Sequence, residues 1–274
     1  MLPCQEMPFG KEIETARRAA ERAASLALRH QAAGIRAEAK TDQSPVTVAD
    51  RECEKLIAGL LEDTFPGDGI LGEEGARKES RSGRRWIVDP IDGTRDFVRG
   101  NPLWGVLIGL EEAGETQMGL VHLPLLGKTC WASRGGGAFT NGTLLRVSSI
   151  ADPSAAVLSV NSLNRIRHMA FSRRLIDWAS RFWAVRCLGG TPDAMMVAAG
   201  QIDAWIEPAV AAWDLAAPQV ILEEAGAVFF DFKGERTIYG GNAVACAPGL
   251  EQELRAFFKA SEAQQPAMPS EARS

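Results

Sequence analysis

Four short stretches of the chain carry an apolar run into carboxylates: Val48-Ala-Asp50, Leu71-Gly-Glu-Glu74, Ile87-Val-Asp-Pro-Ile-Asp-Gly-Thr94 and Ala212-Trp-Asp-Leu-Ala216. An apolar element fixes its own position in a core, so an acid at its end is held rigidly at a surface or cleft. Acids crowded together repel one another and raise one another's pKa. Divalent cations remove that repulsion, and a donor set made of oxygen alone favours Mg²⁺, Mn²⁺ or Ca²⁺ over zinc. In the third stretch Pro90 fixes its own φ and tightens the turn, so Asp89 and Asp92 can converge on one ion or bridge two. Gly93 is free to adopt a conformation closed to other residues. Thr94 then opens a short helix whose free N–H groups face the same place, which makes a cradle for phosphate. Cations on one side of a phosphate and a helix N-terminus on the other form a site for phosphoryl transfer. A lone Glu-Glu or Trp-Asp is more often a solvated loop or a helix cap. The combination, and Asp89-Pro-Ile-Asp-Gly-Thr94 above all, points to chemistry.

The elements that must position these acids can be read from periodicity. Ala16, Ala19, Ala20, Ala23, Ala24, Ala27 and Leu28 recur at helical spacing, which predicts a helix over residues 11–33 with Gly34 as its stop. A second helix is predicted from about Val48, and strands are predicted at 69–74, 86–89, 103–110, 117–122 and 129–133. Past about residue 150 the pattern becomes α/β. Strands at 156–160, 184–188 and 204–206 alternate with helices at 165–181, 193–200 and 214–225, and two more strands follow at 228–231 and 243–245. The division expected is an N-terminal α+β half, residues 1–150, carrying Glu73, Asp89, Asp92 and Thr94. A C-terminal α/β half, 151–260, carries Glu207 and Asp214. The polar, proline-containing residues 261–274 are expected to be a disordered tail. Trp104, Trp131, Trp183 and Trp205 are expected in the core, and Arg84-Arg85 in a solvated turn.

A formal net charge of −5 argues against nucleic acid or an anionic membrane as the main partner. The five cysteines form no C-x-x-C pair and read as reduced, mostly buried thiols of a cytoplasmic protein. The three histidines lie far apart, so a histidine-based zinc site is not expected. No signal-peptide pattern opens the chain, and no apolar run reaches the roughly 18–20 residues of a membrane span.

Asp89-Pro-Ile-Asp-Gly-Thr-Arg-Asp-Phe97 and Trp213-Asp-Leu-Ala-Ala217 resemble the two signature motifs of the inositol monophosphatase superfamily of metal-dependent phosphatases, and the upstream Gly-Glu-Glu fits their order. The likeness runs from the first helix to about Gly249. It implies a layered α/β/α/β/α fold, two or three Mg²⁺ per site and, commonly, a homodimer. It further implies that Glu73, Asp89, Asp92 and Asp214 hold metal through their side chains and Ile91 through its carbonyl. Thr94 would orient the attacking water, Asp50 would support the Thr94 hydroxyl, and the Gly93 and Thr94 amides would hold the phosphate. Glu207 would contact the alcohol portion of a small phosphate monoester, with Asp214 beside it, while Glu74 and Lys40 would lie near the metals. The stretches 97–108, 119–124, 131–139 and 158–163 resemble the histidinol-phosphatase branch more than typical inositol monophosphatases. Histidinol phosphate is therefore the substrate expected first, with inositol 1-phosphate or another sugar or nucleotide phosphate as alternatives. The segment Gly189-Gly-Thr-Pro-Asp193, which should face the substrate, departs from both patterns. Two readings outside this enzyme class remain. A catalytically silent phosphate-ester sensor would have lost a ligand or Thr94. A calcium-stabilised structural protein would leave the Gly93-Thr94 cradle unexplained.

Overall fold

The computed structural model describes residues 8–34, 38–39 and 45–262. Lys40, Cys4 and residues 263–274 of the expected tail lie outside these. The alanine stripe of α1 (Gly10–Ala33) is buried, and α1 packs on α2 (Val48–Thr64), which contributes Cys53, Ile57 and Leu61 to the same cluster. Side chains this small let two helices lie close together over one face of a sheet. A short antiparallel ribbon, β1 (Glu38–Ala39) with β2 (Pro45–Val46), precedes α2.

The larger sheet has eight strands, β3 (Gly69–Gly72), β4 (Arg77–Lys78), β5 (Arg84–Asp92), β6 (Gly105–Glu112), β7 (Glu115–Leu123), β8 (Lys128–Ser133), β9 (Gly137–Thr140) and β10 (Thr143–Leu144). Their spatial order is β10-β9-β8-β7-β6-β5-β3-β4, and only β3–β5 is parallel. Helix α3 (Thr94–Arg99) joins β5 to β6. The second sheet has five strands, β11 (Val157–Val160), β12 (Ala184–Arg186), β13 (Ala204–Glu207), β14 (Val228–Phe230) and β15 (Ala243–Cys246), in the order β12-β11-β13-β15-β14. Its β12, β11 and β13 run parallel. Between the sheets lie α6 (Thr191–Ala198) and α7 (Ala212–Glu224), whose apolar residues share one core with Ile87, Leu107 and Val121 of the first sheet and Trp205, Phe229 and Ala245 of the second. Beyond the second sheet, α4 (Leu163–Ile166), α5 (Ser172–Ala179) and α8 (Glu251–Glu262) close a third cluster. The result is the expected α/β/α/β/α layering.

Several sequence expectations are corrected. The helix expected over 165–181 is broken into α4 and α5. Phe171, Leu175 and Trp178 share a helical face, but Ile166 is also buried and is five residues from Phe171, a spacing no single helical face accommodates. The strand expected at 86–89 extends over Arg84–Asp92, so Arg84 and Arg85 are ladder residues paired with Glu12 at 2.8 Å and Glu111 at 2.6 Å. Trp183 is not core: it is 73% exposed beside the edge strand β12. Helix α8 was not anticipated, although Leu254, Phe257 and Phe258 fall on one helical face and are buried. It runs through Ser261 and Glu262, the first two residues of the expected tail.

One contact fixes the middle layer. Gly109 of β6 and Gly119 of β7 are paired opposite each other, and α7 lies directly on them. A Cβ at Gly109 would come within 2.7 Å of the Ala216 Cβ, and one at Gly119 within 2.7 Å of the Ala217 Cα. The neighbours are helix backbone and cannot step aside. Gly119→Val is therefore expected to destabilise the fold by about 1–3 kcal/mol or more, measured as a lowered urea midpoint at unchanged slope. A wild-type midpoint would show that the contact is slack.

Candidate active site

Asp89 and Asp92 are three residues apart on one strand, so regular alternation would send them to opposite faces of the sheet. The strand is not regular there. Asp89 pairs with Leu107 and Asp92 with Gly105, so three steps on β5 match two on β6. The extra residue falls at Pro90-Ile91, and Pro90 has no N–H for the ladder. The phase shift shows in burial: Ile87 faces the central core, whereas Ile91, which would share its face in a regular strand, is buried in the outer cluster with Trp86 and Val88. Asp89 and Asp92 therefore emerge on the same side. Asp214 reaches them from the first turn of α7, where one of its oxygens accepts the Ala211 N–H at 2.6 Å. One oxygen from each of Asp89, Asp92 and Asp214 lies within 4.8 Å of the others.

The remaining predicted residues gather around this cluster. Glu73 follows β3, and its turn is held by buried Glu54, which accepts the Glu74 N–H at 2.7 Å and the Ala76 N–H at 2.6 Å. Gly93 has φ +84°, and a Cβ there would meet the Leu103 carbonyl at 2.8 Å, so both the turn and the space require glycine. The Thr94 hydroxyl faces the Ile91 carbonyl at 3.2 Å and Asp50 Oδ1 at 3.4 Å. Asp50 is free to face it because its other oxygen closes a capping box on Thr47, accepting from the N–H at 2.7 Å and the hydroxyl at 2.6 Å. A cleft of about 670 Å³ is lined by Glu73, Asp89, Ile91, Asp92, Gly93, Thr94, Asp214 and, across from them, Glu207. Glu74 is turned into the Glu54 clamp through its backbone, and Asp50 stands behind Thr94.

Sequence reasoning did not pick out Asn161 and Ser162, which also line this cleft; the segment 189–193 was expected to face the substrate, and its Gly189, Gly190 and Thr191 do line the cleft. Asn161 and Ser162 follow the carboxyl end of β11 and Glu207 ends β13, neighbouring parallel strands. Ligand sites in such sheets lie outside the carboxyl ends, so polar residues just after a predicted parallel strand were the available signal. Thr191 opens α6 beside Asp92, and only the three-dimensional structure joins them.

Burial is the main force on these acids. It raises Asp92 to about 6, with Glu73 adding repulsion against the easing effect of the Thr191 hydroxyl and N–H. It raises Asp214 to about 8, with Asp92 adding to the shift, and lifts Asp89 well above the ordinary carboxylate range, with Glu73, Asp92 and Asp214 all pushing the same way. Asp50 is raised and Glu207 reaches about 7, again chiefly through burial. Asp92 Oδ2 is buried without a hydrogen-bond partner. An oxygen-only cluster of mutually repelling acids with an orphaned carboxylate oxygen fits a hard divalent cation.

These shifts set a pH dependence. A carboxyl whose folded pKa lies above its unfolded value binds its proton more tightly when folded, so the stability it contributes is present at low pH and lost as pH rises through the folded pKa. With Asp92 at about 6 and Asp214 at about 8, the melting temperature of metal-free protein should fall as pH rises from about 5 to about 8. A saturating divalent cation should raise it most at the upper end. Calorimetric scans with and without cation check this, and a cation effect that is equal at both ends would contradict it.

Comparison with known proteins agrees with this geometry. A profile described as the inositol monophosphatase family matches residues 11–265. A histidinol-phosphatase of Mycobacterium tuberculosis is 40% identical over 241 residues, covering 86% of this chain and 93% of that protein. A Nus factor SuhB of Pasteurella multocida is 34% identical over 223 residues, covering 78% of this chain and 82% of that protein. Among solved structures, a Thermotoga maritima IMPase superposes with a TM-score of 0.82 at 30% identity, covering 92% of this chain and 98% of the other. With its layered fold, its converging acids and relatives of this identity along nearly its whole length, the chain belongs to the inositol monophosphatase family.

Proposed function

We propose that this protein is a magnesium-dependent phosphomonoesterase acting on a small metabolite ester, L-histidinol phosphate first, by direct attack of water. The observation that carries the reading is the convergence of Asp89, Asp92 and Asp214 beside Thr94 in one cleft. Glu73, Asp89, Asp92 and Asp214, with the Ile91 carbonyl, would hold Mg²⁺. Bound there, it would supply a Lewis acid that lowers the pKa of water and neutralises phosphoryl charge.

The chain's own part is orientation. Asp50 Oδ2 is already engaged by Thr47, leaving Oδ1 and the Ile91 carbonyl as acceptors for the single Thr94 proton. A Thr94 hydroxyl that donates inward presents its lone pairs outward, where they accept a proton of the attacking water and turn an oxygen lone pair toward phosphorus. The Gly93 and Thr94 amides precede the first hydrogen bonds of α3, which run from the Asp96 and Phe97 N–H groups to the Gly93 carbonyl, and would hold the phosphate. The alcohol then lies toward Glu207. An ammonium group there would keep Glu207 ionised in a charge-assisted pair. Support for histidinol phosphate comes from the Mycobacterium tuberculosis relative, while an inositol-1-monophosphatase of Mesorhizobium japonicum, 36% identical over 219 residues, supports the alternative.

Asp92→Asn should reduce turnover at least about a hundredfold, because even the outer partners of metal ligands are worth 10–100-fold, while far-UV circular dichroism stays unchanged. Activity that survives chelation of divalent cations would remove the magnesium mechanism. Side-by-side turnover of L-histidinol phosphate and inositol 1-phosphate tests the substrate; equal or faster hydrolysis of the inositol ester would overturn the preference. The second reading, a phosphate-ester sensor, requires loss of a ligand or of Thr94, and Glu73, Asp89, Asp92, Asp214 and Thr94 are all present. Calorimetric titration showing ester binding without turnover would establish it.

The reading includes a cytoplasmic location, supported by the free thiols of Cys53, Cys130, Cys187 and Cys246, and a homodimer. The dimer is supported by the exposed Trp183 and Val185 at the edge strand β12, an apolar, unpaired margin of the kind that associates. Light scattering should give twice the chain mass for the wild type and a smaller mass for Trp183→Lys. A monomeric wild type would refute it.

A further inference from the structure

The Glu207 side of the cleft holds a buried polar cluster for which hydrolysis has no use. Asp193, in the first turn of α6, is 0% exposed, and its Oδ2 accepts two hydrogen bonds of 2.9 Å, from Asn161 Nδ2 and from the Gly189 N–H. Asn161 also acts on Glu207, and the Ser162 hydroxyl donates to Glu207 Oε1 at 3.0 Å. Asp193 claims the Asn161 nitrogen, which fixes the orientation of an amide that sits beside Glu207. Asn161 Oδ1 is buried without a partner, and so is Asp193 Oδ1.

Helix capping accounts for the Gly189 contact but not for the rest. The buried capping carboxylate Asp50 has its spare oxygen met by the Thr94 hydroxyl. Asp193 is wholly removed from water with one oxygen unpaired. The hydrogen-bond partners of Asp193 and Glu207 among the described residues are neutral: an amide, a hydroxyl and a backbone N–H. Buried negative charge without a positive partner is costly. Two guanidinium groups do line the cleft, Arg95 and Arg165, but both residues are exposed, where water and salt screen them; the buried carboxylates are screened far less. The cleft wall therefore has acceptors and negative charge in excess. An alkylammonium group has three donors, no acceptor and a positive charge. A polyol hydroxyl brings its own acceptor lone pairs and no charge.

We propose that Asp193 determines specificity: acting through Asn161 and beside Glu207, it makes this wall select esters whose alcohol carries an ammonium group over their uncharged counterparts. The inference rests on the phosphomonoesterase reading, since the alcohol must lie against Glu207. Asp193 touches no reacting atom and is a positioning residue. It is also the last residue of the segment Gly189-Gly-Thr-Pro-Asp193, of which Gly189, Gly190 and Thr191 line the cleft.

Asp193→Asn keeps the volume and an acceptor for Asn161 and Gly189 while removing the charge. The test measures kcat and KM of the magnesium-loaded full chain with L-histidinol phosphate and with the same ester lacking its amine. The expected result is a fall of roughly tenfold or more in the preference for the amine ester, as suits one charge-assisted contact, expressed in KM. An unchanged ratio, or an equal loss on both esters, overturns the proposal, because a merely structural role would harm both alike. Should the variant not fold, the wild type decides the matter: histidinol should inhibit roughly tenfold more tightly than its deaminated analogue, and equal or weaker inhibition overturns the proposal. If the wild type hydrolyses neither ester with magnesium, the phosphatase reading itself falls and takes the inference with it. A wild type that hydrolyses both without preference removes the inference alone.

Discussion

Carboxylates that repel one another can be buried side by side only where the surrounding frame is too stiff to let them part. Asp89, Asp92 and Asp214 meet that condition through three separate devices. The bulge at Pro90-Ile91 brings two of them to one face of the first sheet. The Ala211 N–H holds the third at the start of α7. Helix α7 is in turn wedged between the two sheets, in the core that both share. The frame holds all three acids together, and protons or a cation relieve their repulsion. That choice couples the stability of the fold to the occupancy of its site.

The same economy of hydrogen bonds recurs at Asp50 and Asp214. Each is the third residue of its helix, and each gives one oxygen to the helix's own N-terminus. In Asp50 the second oxygen is left for Thr94, and Asp214 offers a carboxylate oxygen to the cluster with Asp89 and Asp92. A residue whose one half is fixed by secondary structure has little rotamer freedom left to lose when it engages a ligand. Helix starts are therefore good mounts for groups that must not move.

How much of this could be read beforehand varied with its cause. The alternation of strands and helices, the alanine stripe of α1 and the layering are local patterns or follow from resemblance, and they were legible. So were the acids at the ends of apolar runs, since an element boundary and a carboxylate are both visible in sequence. The break between α4 and α5 was not, because it exists to bury Ile166 and Phe171 together in a core assembled from α8 and the second sheet. Asn161 and Ser162 were missed for a like reason. Their polarity is ordinary in a loop, and they acquire meaning only when strand order sets them opposite Asp92 and Glu207. Trp183 failed in the other direction, since a large apolar side chain at the margin of a sheet looks, in sequence, the same as one inside it.

The bare backbone of Gly109 and Gly119 beneath α7 bears on how such a chain can diversify. Main chain resting on main chain leaves no side-chain layer through which a shift could be absorbed, so the hydrolytic end of the cleft offers almost no room for gradual adjustment. The opposite end is built from residues 187–191 and from the tips of β11 and β13, where single side chains form the wall. Drift in substrate choice can therefore proceed one residue at a time at that end, while the machinery that cleaves the ester stays as it is.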